Sequence, residues 1–335
     1  MQDWNSSTWV SVDEPKDSEA AGAVVLIVGA GSGVGRAVAR AFAQDGARHM
    51  VLADLAPDTA SRTAGEICRD FGLRDGEDVL ARRVDVVDRV SVQAMVEATV
   101  EQFGRIDKLV NTAGVVASPM TLTDTTAKEF DQVYRVNVTG ALNLLQEVGP
   151  VMERVQASTR LSGPAASSSR SMVFLASAFC FAASRNHGAY VSSKHALLGL
   201  LRTAALEMAH RHVRVNAVCP TWVDTPLMAE GLRTNPGLKA YIKRVVPLGR
   251  MATAEEVAQV VLFLSSDGAS FVTGAAWSVD GGLSAGLPPL PGLDLPGGSG
   301  SGSGSLEALG HPERLGRAGK SGPTRESEFP QISTL

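Results

Sequence analysis

Short apolar runs rich in β-branched residues alternate with longer segments of helical periodicity between residues 22 and 283. The apolar runs predict strands at Val24–Val28, His49–Ala53, Leu80–Val84, Lys108–Val110, Met172–Ala176, Val213–Val218 and Ala275–Val279. The segments between them predict helices at Gly35–Gln44, Val90–Phe103, Glu129–Val151, Ala189–His210 and Thr253–Ser265. Strands that alternate with helices and are apolar on both faces are typical of parallel sheets covered on both sides. We therefore predict one doubly wound α/β domain, with a mostly parallel sheet of seven strands and helices on both faces.

The composition changes at both ends of this alternating region. Residues 1–22 are polar and acidic, which predicts a flexible leader. Residues 284–335 are rich in Pro, Gly and Ser, and such a segment buries too little apolar surface to offset its chain entropy. We expect a folded domain over residues 23–283 and a disordered tail over residues 284–335.

Charge and cysteine content narrow the class of protein. The net charge of −4 does not favour a nucleic-acid partner, and no apolar run is long enough to cross a membrane. The first twenty residues contain no apolar run of the kind that a signal peptide needs. Three scattered cysteines in 335 residues fit reduced thiols better than a disulfide framework. These features predict a cytoplasmic protein with no nucleic-acid or membrane partner.

A glycine-rich turn follows the first predicted strand and leads directly into a helix. Such a turn lets a pyrophosphate approach the backbone, and the helix N-terminus then faces the anion. Because the motif lies between a strand and a helix, it predicts a dinucleotide-binding site in a Rossmann-like fold. The predicted cofactor-binding residues of this turn are Gly29, Gly31, Ser32, Gly33, Val34 and Gly35.

Asp54 closes the second predicted strand, nineteen residues after Gly35. A carboxylate at this position can accept hydrogen bonds from the adenosine ribose hydroxyls and repels a 2′-phosphate. The glycine turn contains Ser32 and no basic residue that would attract such a phosphate. The sequence therefore favours NAD over NADP.

Tyr190 and Lys194 lie four residues apart in a predicted helix, so their side chains share one face. An ammonium group about 4–5 Å from a tyrosine hydroxyl contributes roughly 3–4 kcal/mol at an effective dielectric constant near 20. This stabilisation is nearly enough to bring a tyrosine pKa from about 10 toward 7. We predict that Tyr190 is an acid/base group whose pKa Lys194 lowers, with the rest of the stabilisation supplied by a positively charged oxidised nicotinamide.

The order and spacing of these motifs resemble the short-chain dehydrogenase/reductase family over residues 22–283. Ser177 stands thirteen residues before Tyr190, as in that family. The resemblance implies a Rossmann-like fold and hydride transfer between a secondary alcohol or ketone and a nicotinamide cofactor. It also implies a homodimer or homotetramer that pairs through the helices at Glu129–Val151 and Ala189–His210.

The same resemblance assigns roles to residues that the pattern alone leaves unassigned. It implies that Ser177 hydrogen-bonds the substrate oxygen and that Asn137 supports a water-linked proton path to Lys194. The other residues that it implies at the cofactor are Asp85 and Val86 at the adenine, Asn111, Ala113 and Gly114 beside the cofactor, Pro220, Val223 and Thr225 at the nicotinamide, and Tyr190 and Lys194 themselves.

Two departures from the family pattern concern the glycine turn. The family usually has a threonine where this chain has Val28, and the hydroxyl of that threonine braces the turn. Thr112 replaces a commoner asparagine. We expect the loss of the hydroxyl at position 28 to cost some rigidity of the turn and no catalytic group.

The residues leave several functional alternatives open. An NADP-dependent ketone reductase and a non-catalytic dinucleotide-binding regulatory protein are the alternatives to an NAD-dependent dehydrogenase. A secondary-metabolite intermediate or a steroid-like ring is the substrate class that we favour, in either direction of reaction. His187 and His195 flank the site without the spaced partners of a metal centre, so we predict no metal.

Overall fold

Seven parallel strands form the central sheet of the protein. The computed structural model describes residues 20–159 and 170–286. The described residues form nine strands in all, of which seven belong to this sheet. They are β1 (Val24–Val28), β2 (His49–Asp54), β3 (Val79–Arg83), β4 (Lys108–Asn111), β5 (Arg170–Leu175), β6 (Val213–Pro220), β7 (Val223–Asp224), β8 (Ala252–Thr253) and β9 (Ala276–Val279). The sheet order is β3-β2-β1-β4-β5-β6-β9, with every neighbouring pair parallel. The predicted doubly wound α/β fold is confirmed. Strands β7 and β8 form a separate two-stranded sheet.

Helices cover both faces of the sheet. They are α1 (Gly33–Gln44), α2 (Pro57–Phe71), α3 (Arg89–Phe103), α4 (Ala127–Tyr134), α5 (Gly140–Thr159), α6 (Gly188–Ala209), α7 (Pro226–Thr234), α8 (Leu238–Val245) and α9 (Ala254–Ser265). None of the helices in the described ranges is long and apolar enough to cross a membrane.

Alternate residues of the strands feed two separate hydrophobic layers. In β1, Val25 and Ile27 pack with α1, α2 and α9, whereas Leu26 and Val28 pack with α3, α5 and α6. All four side chains are buried, since a strand directs successive side chains to opposite faces of the sheet. A strand buried in this way must be apolar throughout, which explains why the strands of this chain read as continuous apolar runs.

The helix predicted as one piece at Glu129–Val151 is interrupted. Helix α4 begins at Ala127, where a Thr126–Glu129 capping box satisfies its first backbone N–H groups. A π-helical segment, Arg135–Thr139, then separates α4 from α5. Such π segments occur mostly as short interruptions and frequently at functional sites, and this one carries Asn137.

Three helices were missed in the sequence. The buried residues of α2, which begins at Pro57, have helical spacing, but most of them are small or weakly hydrophobic, namely Ala60, Thr63, Ala64, Ile67 and Cys68. Helices α7 and α8 lie between β7 and β8 and bury few residues of their own. They are nine and eight residues long, so each contains only about two turns of pattern.

The predicted domain boundaries remain predictions. Of the leader predicted over residues 1–22, the structure describes residues 20–22. Of the tail predicted over residues 284–335, it describes residues 284–286. The remaining residues of both segments lie outside the described ranges.

The sheet order creates a crevice at the carboxyl ends of the strands, which form one edge of the sheet. Strand β1 lies between β2 and β4, so the chain leaves β1 on one side of the sheet and β4 on the other. In parallel sheets, ligands bind beyond the carboxyl ends of the strands at such a switch point. The segments that follow β1, β2, β3, β4, β5 and β6 all meet at this edge.

Phe174 gives a direct test of how much the buried sheet contributes to stability. Its side chain is fully buried near the carboxyl end of β5. Because Phe174→Ala leaves a cavity that a sheet cannot close, we expect it to lower the free energy of unfolding by about 3–5 kcal/mol. Urea denaturation measures this change. Phe271→Ala, at a fully exposed position, is the matched control and should change it by less than about 0.5 kcal/mol.

Candidate active site

Two glycines of the turn after β1 have no room for a side chain. Gly29 adopts a φ of +82°, and a Cβ atom there would lie 2.6 Å from the Oγ1 atom of Thr112. A Cβ atom on Gly35 would lie 2.0 Å from the carbonyl oxygen of Gly29. Only glycine fits at these positions, which leaves the backbone of the turn bare beneath the crevice.

The N-terminus of α1 provides free donors at the same turn. Ser32 is the N-cap residue, yet its side chain makes no capping hydrogen bond, and the first turn of α1 contains no acidic residue. The first backbone N–H groups of a helix have no partner within the helix and attract anions. A bare glycine turn with an uncapped helix end fits the pyrophosphate of a dinucleotide.

Asp54 lies at the end of β2, and its side chain is buried against the glycine turn. Its Oδ2 atom accepts a hydrogen bond from the N–H of Gly31 at 2.9 Å, and its Oδ1 atom accepts one from the N–H of Ala56 at 3.0 Å. An ionised carboxylate has about four acceptor positions, so both oxygens can accept further hydrogen bonds. The carboxylate therefore stands beside the turn where the sequence predicts the adenosine ribose.

Thr112 braces the turn from the neighbouring strand. Its hydroxyl donates to the carbonyl oxygens of Val28 at 2.9 Å and Gly29 at 3.1 Å. The expectation that Val28 leaves the turn without a bracing hydroxyl is therefore wrong. The departures at positions 28 and 112 compensate each other, because the hydroxyl is supplied from the end of β4.

The segments after β3 and β4 complete the wall of the crevice. Asp85 accepts a hydrogen bond from the N–H of Val87, and Val86 is buried with its carbonyl oxygen bound by Asn143 at 2.8 Å. Asn111 accepts a hydrogen bond from the N–H of Ala113 at 3.1 Å, next to Gly114. These residues reach the edge at which the sequence places the cofactor, and Asn143 is a supporting residue that the sequence analysis missed.

Tyr190 and Lys194 lie on one face of α6 and are both buried. The Nζ atom of Lys194 is 5.5 Å from the centre of the Tyr190 ring and donates to the carbonyl oxygen of Leu175 at 3.1 Å. Ser177 lies two residues beyond the end of β5, near enough to Tyr190 to influence the pKa of its hydroxyl. The structure therefore brings Ser177, Tyr190 and Lys194 together as the sequence predicts.

Burial governs the pKa values of Tyr190 and Lys194. It raises the pKa of Tyr190 above its ordinary value, and the nearby hydroxyl of Ser177 opposes this effect without cancelling it. Burial also lowers the pKa of Lys194 to about 8. The pKa of Tyr190 in the protein without a cofactor is therefore raised, because burial disfavours the phenolate. The lowering predicted from Lys194 together with an oxidised nicotinamide stays a prediction.

Asn137 is fixed by the π-helical segment that interrupts the predicted helix. Its side chain accepts from the N–H of Val115 at 2.9 Å and donates to the carbonyl oxygen of Val115 at 3.0 Å. It also donates to the hydroxyl of Ser193 at 3.0 Å, and that hydroxyl donates to the carbonyl oxygen of Tyr190 at 2.7 Å. Asn137 is thus connected to the helical turn that carries Tyr190 and Lys194. Ser193 was missed in the sequence, although it immediately precedes Lys194.

The segment after β6 closes the crevice on the far side of the sheet. Pro220 ends β6, and Val223 is a buried residue of the short strand β7. Thr225 caps α7, where its hydroxyl accepts from the N–H of Met228 at 3.4 Å. These three residues lie on the chain between β6 and α7, where the resemblance predicts contacts with the nicotinamide.

Two cysteines lie beside Lys194, a feature that no pattern in the sequence indicates. The thiol of Cys180 donates to the carbonyl oxygen of Lys194 at 3.1 Å. A hydrogen bond with Cys219 lowers the pKa of Cys180 to about 7, and the same contact raises the pKa of Cys219. Both thiols are free and buried.

An open cavity lies next to Tyr190, and its volume of about 300 Å³ includes space that is continuous with solvent. The loop after β4 and the start of α6 form its walls. The lining residues include Met120, Thr125, Glu129, Asn186, His187 and Tyr190. His187 therefore lines the cavity, whereas His195 is exposed on α6 and bonds the carbonyl oxygen of Val191. Across residues 20–159 and 170–286, no group of three potential ligands could hold a metal ion.

Comparisons with a family model, with curated proteins and with solved structures all indicate the same family. A family model described as "Enoyl-(Acyl carrier protein) reductase" matches residues 29–284. The chain is 39% identical over 262 residues to the short-chain dehydrogenase anuF of Penicillium roqueforti, covering 77% of this chain and 95% of that relative. Two solved structures are also similar. One is levodione reductase, with a TM-score of 0.71, 33% identity, and coverage of 80% of this chain and 99% of that chain. The other is a 3-ketoacyl-(acyl-carrier-protein) reductase from Brucella melitensis complexed with NADH, with a TM-score of 0.68, 31% identity, and coverage of 78% and 98%.

The fold and the crevice define a nicotinamide-dinucleotide-binding oxidoreductase of the α/β class. The chain belongs to the short-chain dehydrogenase/reductase family, as the sequence resemblance predicts.

The Thr112 brace can be tested separately from catalysis. Thr112→Val keeps the shape of the side chain and removes the hydroxyl that bonds the carbonyl oxygens of Val28 and Gly29. We expect it to lower the free energy of unfolding by about 1–2 kcal/mol, because a buried acceptor loses its partner. Urea denaturation measures this loss, and Thr112→Ser, which keeps the hydroxyl, should recover most of it. Equal stability of Thr112→Val and the wild type would mean that the hydroxyl does not brace the turn.

Proposed function

We propose that the protein interconverts a secondary alcohol and a ketone with NAD, with Tyr190 as the acid/base group. The single observation that carries this proposal is the grouping of Ser177, Tyr190 and Lys194 at the carboxyl edge of the sheet, beside the crevice. A module that only binds a dinucleotide has no use for a buried tyrosine paired with a buried lysine.

Different residues of this chain have different roles in the proposed reaction. When bound, the nicotinamide supplies the donor or acceptor of the hydride. Tyr190 holds its proton at neutral pH, because burial raises its pKa, and can donate that proton to a carbonyl oxygen. Ser177, which lies near Tyr190, can donate to the same oxygen and orient it. Lys194 and Asn137 support the tyrosine through α6 and the proton path that family resemblance implies.

The preference for NAD is proposed from the position of Asp54. A 2′-phosphate beside this buried carboxylate would be a like-charge contact in a partly desolvated crevice, which is unfavourable. The ribose hydroxyls of NAD can instead donate to its two oxygens. The similar reductase from Brucella melitensis was solved in complex with NADH, which agrees with this choice.

Oligomerisation and location are also proposals. Large apolar side chains are exposed on α5, α6, α9 and β9, namely Leu142, Leu206, Phe263 and Trp277. Exposed apolar side chains of this size support association through these elements, as a homodimer or homotetramer. Three free cysteine thiols support a reducing compartment such as the cytoplasm.

Removal of the Tyr190 hydroxyl tests the proposed reaction. Tyr190→Phe keeps the ring and removes the transferable proton, so we expect kcat to fall by about 10²- to 10⁴-fold. The dissociation constant for NAD should change little. Oxidation of alcohols and reduction of ketones, followed at the absorbance of NADH, measure the rate. Tyr134→Phe is the matched control on α4 and should retain full activity. Near-native turnover of Tyr190→Phe would overturn the mechanism.

Asp54 tests the cofactor preference. Asp54→Asn removes the charge and keeps the shape of the side chain. We expect NAD to bind about 10- to 100-fold more weakly, since each charge-assisted hydrogen bond contributes about 1.5–3 kcal/mol. Binding of NADP should improve at the same time, because the repulsion of its phosphate is removed. Dissociation constants and kcat/KM for both cofactors measure the change.

Two further variants complete the cofactor experiment. Asp58→Asn makes the same change of net charge at an exposed position of α2 and should leave the NAD preference unaltered. Adding Ser32→Arg to Asp54→Asn should favour NADP further, because a guanidinium in the turn can bind the phosphate. Preference of the wild type for NADP would contradict the proposed cofactor.

A further inference from the structure

The cavity beside Tyr190 is built from two loops that are joined by hydrogen bonds. The N–H of Met120 donates to the carbonyl oxygen of Asn186 at 2.8 Å, and residues 120 and 187 form an isolated bridge. Asn186 adopts a φ of +65°, which directs the chain from this bridge into α6. His187 is therefore held at the start of α6, three residues before Tyr190, and one helical turn separates the two side chains.

The hydrogen bonds of His187 define the role of its other ring nitrogen. The Nδ1 atom lies 2.9 Å from the carbonyl oxygen of Arg185. A carbonyl oxygen can only accept, so Nδ1 carries the hydrogen, and in the neutral ring Nε2 is then an acceptor. Within the part of the chain that the structure describes, Nε2 has no hydrogen-bond partner.

Aromatic rings connect His187 to the tyrosine. The Phe179 ring is stacked on the His187 ring, with 6.2 Å between centres, and meets the Tyr190 ring edge-on at 6.1 Å. The cavity also has apolar walls from Ala117, Met120 and Ala189. Phe179 lies behind His187 and does not line the cavity, so the flat walls are the rings of His187 and Tyr190. These rings and the apolar walls suit a ring better than a flexible chain.

The charge of the cavity lining disfavours anionic substrates. The lining in the described ranges includes the carboxylate of Glu129 and neither lysine nor arginine. Hydrogen bonds from Thr126 hold the pKa of Glu129 below its ordinary value, so this carboxylate stays ionised. A phosphate or carboxylate group of a substrate would meet repulsion here, whereas a hydroxyl would meet acceptors.

We propose that, given the alcohol–ketone chemistry proposed above, this cavity binds a neutral ring substrate with a second hydroxyl group. The Nε2 atom of His187 accepts a hydrogen bond from that hydroxyl, which makes His187 a specificity-determining residue. The distance of one helical turn between His187 and Tyr190 sets the separation between the hydroxyl and the reacting carbon at about the width of one or two fused rings.

A set of matched ketones tests this inference by binding alone. The probes are 2-tetralone and its four derivatives that carry one hydroxyl group on the aromatic ring. Their dissociation constants are measured by calorimetry on the protein saturated with oxidised NAD, where a ketone cannot react. We expect at least one hydroxylated isomer to bind about 3- to 10-fold more tightly than 2-tetralone, the gain of one neutral hydrogen bond.

Three variants assign that gain to His187. His187→Phe should abolish the difference between the preferred isomer and 2-tetralone, whereas His187→Gln, whose amide oxygen can accept, should retain part of it. His195→Phe makes the same change on the exposed face of α6 and should keep the wild-type difference. Equal affinity for all five ketones, no binding of any, or an undiminished difference in His187→Phe would overturn the inference.

Two further measurements separate this inference from the proposed reaction. Acetoacetyl-coenzyme A is the anionic probe, and tighter binding of it than of every tetralone would contradict a neutral substrate. Turnover of the tetralones with NADH is measured separately. A hydroxyl preference that depends on His187, without any turnover, would support the binding inference and contradict the proposed reaction. Turnover without a hydroxyl preference that depends on His187 would support the proposed reaction and contradict the binding inference.

Discussion

The hydroxyl of Thr112 joins the two strands between which the crevice opens. Its hydrogen bonds to the carbonyl oxygens of Val28 and Gly29 fix the end of β1 against the end of β4. Gly29 and Gly35 then pack so closely against this contact that neither could carry a side chain. The N-terminus of α1 and the carboxylate of Asp54 take their positions from this turn. The proposed contacts of the cofactor with the glycine turn and Asp54 therefore lie next to one buried hydroxyl.

Burial has opposite consequences for the two chemical groups of α6. It raises the pKa of Tyr190 and lowers the pKa of Lys194, so both groups are less readily charged than in water. Contacts with the carbonyl oxygen of Leu175 and the thiol of Cys180 place polar atoms around the lysine. The protein alone thus keeps the tyrosine protonated, which suits donation of a proton. A positive charge brought into the crevice would shift this balance toward the phenolate.

The sequence predicted the features that depend on local patterns. All seven strands of the main sheet were found, because residues buried on both faces must be apolar. The spacing from Ser177 to Lys194 is the basis on which Tyr190 is proposed as the reacting group. What it missed depends on contacts between distant segments. Thr112 braces a turn more than eighty residues away, and the π-helical segment that directs Asn137 toward Val115 leaves the helical periodicity almost unchanged. The burial that raises the pKa of Tyr190 in the protein alone was not predicted either, because a pair of residues on a helix contains no information about how deeply it is buried.

The chemistry and the specificity of this protein rest on different parts of the fold. Asp54 ends the buried strand β2 and Ser177 lies two residues beyond the buried strand β5, so their positions are fixed by the same packing that stabilises the sheet. His187 instead depends on the bridge between residues 120 and 187 and on the left-handed backbone of Asn186. Few buried contacts restrain such loops, so their residues can change without loss of the core. Substitutions at His187 and its loop are therefore expected to alter the proposed substrate preference, while the proposed site of hydride transfer is preserved by the sheet.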